Sequence, residues 1–238
     1  MTNGSDLDLA LTTQMRAGTH YMCAALRSAL EATIHRPDRE NQFVIMDDDY
    51  IRKGLHGDEN IRLTQPRANR HVYFCHYYHS QIELLVGKPR IQLIGFPLDS
   101  FYSDSVIARS AIRDPAPSGP RAANYVVQYG GNEWRALESY MTKNADWLSM
   151  LSENNDRIII RYEDLIADFQ STAGKLDAFV GGFVNPLPPA KINPRRSYWT
   201  EEYAACFDRK ALNAMWSLFG QSIERFYPER VRSLKAAL

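Results

Sequence analysis

Little in this chain is suited to a membrane or to an oxidising compartment. Its three cysteines, Cys23, Cys75 and Cys206, are odd in number and far apart. They lack the paired C-x-x-C spacing of a zinc site or disulfide framework, which predicts a reducing environment. No apolar run approaches the roughly eighteen residues of a membrane helix. The first segment, MTNGSDLDLALTTQMR, carries acids where a signal peptide needs bases, and its apolar stretch is short and interrupted. These absences predict a soluble, cytoplasmic protein with no membrane partner.

An excess of either charge is missing too. The 28 Lys and Arg balance the 28 Asp and Glu, so no global field favours nucleic acid, and any anion site has to be local. Repeats and low-complexity tracts are also absent. What is present is ordinary globular composition, 45% hydrophobic and 24% charged over 238 residues, which predicts a single α/β domain over 1–238.

Short apolar runs mark the strands. LDLALTT from Leu7 to Thr13 has strand character and ends in a loop; QFVIM (42–46), HVYFC (71–75), IQLIGF (91–96) and RIIIRY (157–162) follow. After the first loop the period changes. Met22, Leu26, Leu30 and Ile34 recur every four residues beside Ala25 and Ala29, which predicts one amphipathic helix through Ile34. The continuous run Ile158-Ile159-Ile160 predicts a strand covered on both faces. A further helix is expected from Asp208 to Phe226. Strands alternating with helices imply a central, mainly parallel β-sheet flanked by helices.

The loop between the first strand and first helix, Gln14 to Tyr21, is the chemically suggestive one. Ligands of α/β sheets favour the carboxyl ends of strands, where helix N-termini present free N–H groups. Gly18 lets the backbone approach an anion, Thr19 adds a hydroxyl, and Arg16 adds a permanent forked charge. No G-x-x-x-x-G-K-[ST] pattern occurs there, which argues against an ordinary NTPase or kinase. Taken alone, the loop also suits a plain strand-to-helix turn with an incidental arginine.

With the other segments in view, the chain resembles the PAPS-dependent sulfotransferases (PAPS is 3′-phosphoadenosine 5′-phosphosulfate), a family with a P-loop-like fold. Met15-Arg16-Ala17-Gly18-Thr19-His20-Tyr21 is similar to the family's P-K-S-G-T-T-W motif, and the form R-x-G-T-H-Y resembles bacterial carbohydrate and oligosaccharide sulfotransferases. Gly95-Phe96-Pro97-Leu98-Asp99 through Ser103 resembles R-N-P-x-D-x-x-x-S, with Gly95 where the family has arginine. Tyr162-Glu163-Asp164 resembles the late Y-E-D, and Arg195-Arg196-Ser197 with Trp199 resembles the C-terminal R-K-G loop.

The resemblance implies a donor site made by Arg16, Ala17, Gly18, Thr19, His20, Tyr21, Ser103, Tyr162, Arg195 and Arg196. In it Arg16 stabilises the leaving 5′-phosphate oxygen, and Tyr21 and Tyr162 border the adenine. Arg109 or Arg113 would replace the arginine lost at Gly95. His76, at the end of HVYFC where the family places a catalytic histidine, is the implied general base; His79 and the acids Asp47, Asp48 and Asp49 are competitors. PAPS is the implied donor, with no metal required. The implied acceptor is a small molecule or carbohydrate, walled by 36–70 and 113–144, where Tyr50, Tyr125, Tyr129, Trp134 and Tyr140 offer aromatic surface. A homodimer is plausible, and nucleic acid is not an expected partner. A kinase with a degenerate phosphate loop and a non-catalytic nucleotide-binding protein are the alternatives.

Overall fold

The structure, a computed structural model, describes residues 7–14, 17–37, 43–46, 70–76, 85–97, 99–100, 142–184, 186–189 and 209–237. Its chain divides into two compact units. One comprises Met1–Ile94 with Ser152–Pro194, the other Gly95–Leu151 with Arg195–Leu238.

The first unit holds the sheet. Its strands are β1 (Leu7–Thr13), β2 (Thr33–Pro37), β3 (Phe43–Ile45), β4 (Arg70–His76), β5 (Arg90–Ile94) and β6 (Arg157–Arg161), in the spatial order β3-β2-β4-β1-β5-β6. Five run parallel, and β3 pairs antiparallel with β2. The mainly parallel sheet expected from the alternating pattern is therefore present.

Helix α1 (Thr19–Leu30) follows β1, and α2 (Tyr162–Ala167) and α3 (Phe169–Val180) follow β6. One apolar cluster joins Leu9 and Leu11 of β1 and Val72 and Phe74 of β4 to Met22 and Leu26 of α1. It continues into Leu165 of α2 and Leu176 of α3. Each such side chain, fully buried, contributes about 1.5–3 kcal/mol against leaving it in water. The opposite face carries a smaller cluster of Ala10, Cys75 and Leu85.

Chain direction marks where a ligand belongs. From β1 the chain passes through α1 to β2, on the β4 side of β1, whereas β5 and β6 lie on its other side. The order thus reverses about β1, and the crevice at a reversal point, outside the strand carboxyl ends, is the usual ligand site of such sheets.

Two expectations change. Ile34 is buried, as its place in the apolar stripe required, but in β2 and not in α1. Glu31 adopts φ 52°, ψ 33°, a left-handed cap that ends the helix after Leu30. The β-branched pair Thr33-Ile34 then takes up strand pairing with His71 and Val72. In the isoleucine run, Ile160 is buried but Ile158 and Ile159 are only partly so; among the described residues β6 stands last in the strand order, paired with β5 alone.

The second unit is helical in its described residues: a stretch over 142–149, then α4 (Arg209–Phe226) and α5 (Pro228–Ala237). Asp208 to Phe226 was expected as helix, and α4 begins one residue later. Tyr227, at the turn between α4 and α5, is buried and meets Phe96 edge-on at 5.3 Å between ring centres.

Candidate functional site

The alternation along β1 places Leu9, Leu11 and Thr13 on one face; along β4 it places Val72, Phe74 and His76 on the same face. Parallel register sets Leu9 beside Val72, Leu11 beside Phe74 and Thr13 beside His76. The apolar rows thus end, at the carboxyl end of both strands, in a threonine beside a histidine. Thr13 Oγ1 and His76 Nδ1 are 2.9 Å apart, and the His76 ring stands edge-on to Phe74 at 6.0 Å.

Thr19 opens α1 directly above this pair. Its hydroxyl donates to Thr13 Oγ1 at 3.0 Å, and both threonines are buried. A continuous hydrogen-bonded line therefore runs from the first residue of α1 through the end of β1 to the end of β4. The loop that brings α1 there is tied down by its backbone: the Gln14 N–H donates to the Leu93 carbonyl, and the Ala17 N–H to the Gln14 carbonyl.

Gly18 is the N-cap of α1, at φ 80°, ψ 31°. It has no side chain to cap the helix, and the first turn holds no acidic residue. The positive end of the helix dipole and its N–H groups are thus left to other acceptors, the arrangement that suits an anion. Gly18 also has a packing role that needs no ligand. A Cβ there would lie 2.2 Å from Cδ2 and Cε2 of Tyr162, so the tyrosine ring occupies the space of the missing side chain. The ring of Tyr21 meets Tyr162 edge-on at 6.2 Å.

Burial raises the pKa of the Tyr21 phenol above its usual value, which keeps it neutral. Burial likewise raises the Cys23 thiol and takes Cys75 to about 12, the latter opposed by the Arg90 charge. Neither cysteine is a nucleophile at neutral pH.

The structure brings together Gly18, Thr19, Tyr21, Tyr162 and His76 of the expected residues. Ala17 is fully buried in the core beneath them, and His20 is half-buried in the first turn of α1. Arg16, Ser103, Arg195 and Arg196 lie outside the described residues, as do Arg109, Arg113, His79, Trp199 and Asp47 to Asp49. Thr13 was missed, although its signal was available: a polar residue ends each of two apolar alternations.

Arg230 was missed as well. In the second unit its guanidinium lies 4.5 Å from the Phe96 ring centre and 3.5 Å from the buried carboxylate of Asp99. A basic residue thus accompanies the segment Phe96 to Asp99.

Among the described residues no group of three or more His, Cys, Asp or Glu is placed to hold a metal ion, and no helix is long and apolar enough to cross a membrane.

No family model matches the chain, and no curated protein matches it in sequence. Solved structures do. Mouse sulfotransferase SULT7A1, complexed with PAP, is similar with a TM-score of 0.54 at 16% identity, over 98% of this chain and 89% of that one. The sulfotransferase domain from the curacin biosynthetic pathway is matched at a TM-score of 0.41 and 16% identity, over 85% of this chain and 83% of that one. The chain has the P-loop-like α/β fold of the sulfotransferases.

Proposed function

We propose that the protein moves a sulfuryl group from 3′-phosphoadenosine 5′-phosphosulfate to a hydroxyl or amine of a small-molecule or carbohydrate acceptor. The observation that carries this reading is the line Thr19–Thr13–His76, which joins an uncapped helix N-terminus to a histidine at adjacent strand ends. One end of that line suits the donor's 5′-phosphate and the other a base. The PAP complex of the similar SULT7A1 structure favours a bisphosphate nucleotide over a triphosphate.

Sulfuryl transfer is governed by position and charge, as phosphoryl transfer is. The donor supplies an electrophilic sulfur and a phosphate leaving group. His76 takes the acceptor's proton at Nε2 as the acceptor oxygen or nitrogen bonds to sulfur. The bond from sulfur to the 5′-phosphate oxygen breaks, and its electron pair stays on that oxygen. Thr19, the first N–H groups of α1 and Arg16 receive the resulting negative charge. Tyr21 and Tyr162 border the adenine, and Ser103, Arg195 and Arg196 hold the 3′-phosphate. Segments 36–70 and 113–144 wall the acceptor, and carbohydrate acceptors of the bacterial oligosaccharide type come first among those to try.

A transfer assay with sulfur-labelled donor and a panel of sugars, phenols and amines tests the reading. Label should appear on an acceptor without added divalent metal, and Arg16→Ala should abolish it. Near-normal turnover by that variant would refute the role of Arg16, and phosphoryl transfer from magnesium ATP would replace the reading with a kinase.

A further inference from the structure

A glycine that begins a helix turns more freely than any other residue, and α1 begins on one. Gly18, at φ 80° and ψ 31°, is the N-cap of α1 and brings no side chain to hold the first turn. Backbone bonds tie the chain on either side of it: the Gln14 N–H donates to the Leu93 carbonyl, the Ala17 N–H to the Gln14 carbonyl, and the Met22 N–H to the Gly18 carbonyl. What lies against Gly18 itself is an aromatic ring.

The space that a side chain would fill at residue 18 holds the ring of Tyr162. A Cβ there would stand 2.2 Å from Cδ2 and Cε2 and 3.0 Å from Cγ. That ring is only 5% exposed, and it belongs to the apolar cluster that includes Ala17, Met22 and Leu165, with Tyr21 edge-on beside it at 6.2 Å. Close-packed side chains give way little, so the ring is a firm stop for a backbone that turns toward it. Groups that receive an anion are sensitive to such placement, an error of about 1 Å costing roughly a hundredfold.

We propose that Tyr162 is a positioning residue for the donor's 5′-phosphate: its ring, braced by the core, sets the Gly18–Thr19 backbone that receives the phosphate. The proposal rests on the sulfotransferase reading and deepens it. It gives the ring, and not the phenol hydroxyl, a duty separate from any border it makes with the adenine.

The test is calorimetric binding of two nucleotides to the full chain, adenosine 3′,5′-bisphosphate and adenosine 3′-monophosphate, which differ only in the 5′-phosphate. The ratio of their dissociation constants isolates that phosphate, because a contact with the adenine acts on both ligands and cancels. Wild type should bind the bisphosphate roughly a hundredfold more tightly. Tyr162→Leu should cut this ratio roughly tenfold, while Tyr162→Phe, which keeps the ring, should retain it. Tyr162→Met, better able to fill the core, should show the same fall as Tyr162→Leu and serves where the latter folds poorly. An unchanged ratio in either folded variant, even with stability lowered, would overturn the proposal and leave the sulfotransferase reading standing. A wild-type ratio near one, a result that needs no variant, would overturn it too. Binding of neither nucleotide to wild type would overturn both.

Discussion

The ring of Tyr162 lies over the Cα of Gly18, so closely that a Cβ on residue 18 would stand 2.2 Å from two of its carbons. The first residue of α2 thereby fixes the loop that leads into α1, and the pair ties together the segments that follow the carboxyl ends of β1 and β6. Gly18→Ala meets both this clash and a φ of 80° that disfavours any side chain. Denaturant unfolding should show a loss of about 2–4 kcal/mol. In Gly18→Ala/Tyr162→Ala the combined loss should fall short of the sum of the two single losses, because the clash is gone. Additive losses would show that the ring does not press on this position.

If His76 is the base proposed above, His76→Asn and His76→Ala should lower kcat by roughly 10²–10⁴-fold while leaving bisphosphate affinity within a few-fold. Full activity in both variants would move the base to His79 or to the acids at Asp47 and Asp48, and the corresponding alanine variants would then identify it.

Between β2 and β4, His35 Nε2 and His71 Nδ1 are 2.9 Å apart, and His35 stacks on Tyr73 with ring centres 4.6 Å apart. Lys88 lies over the Tyr73 ring and pairs with Asp8. Burial first, and the His71 charge second, hold the His35 pKa down to about 4, with Asp8 pulling the other way. Between about 4 and its ordinary value of 6.5, the unfolded chain therefore binds a proton that the folded chain does not. Stability is complete above pH 6.5 and is lost as pH falls through this window. His35→Gln should flatten that part of the stability profile, measured by denaturant unfolding at a series of pH values. An unchanged slope would show that other groups carry it.

In the second unit, Asp99 and Arg230 form a half-open ion pair at 3.5 Å, both side chains largely buried. Arg230→Ala would remove the ion pair from the buried Asp99 carboxylate and the cation from Phe96. We expect a loss of about 2–4 kcal/mol, with Arg230→Lys losing less. An effect below about 0.5 kcal/mol would show the pair to be incidental.

Five strand runs were legible in the sequence because their apolar and β-branched residues are contiguous, and β1 was placed to the residue. β2 was not, since Ile34 falls in phase with Met22, Leu26 and Leu30, and periodicity alone has no way to see that Glu31 turns left-handed. The turn from β1 into α1 was legible from Gly18 and Thr19, where the strand pattern stops and the helical period begins. Thr13 was not, because its meaning comes from register: only the pairing of β1 with β4 sets it beside His76, 63 residues away. The packing role of Gly18 was hidden for the same reason, its cause lying at Tyr162.

Thermal unfolding with adenosine 3′,5′-bisphosphate, set against magnesium ATP, tests the central claim most directly, because a ligand of the folded state raises stability by mass action whatever the acceptor is. Near a hundredfold excess over its dissociation constant the bisphosphate should raise the midpoint by roughly 5 °C or more, and magnesium ATP by much less. Preference for magnesium ATP would contradict the account, and a response to neither would return the chain to a fold without its proposed donor.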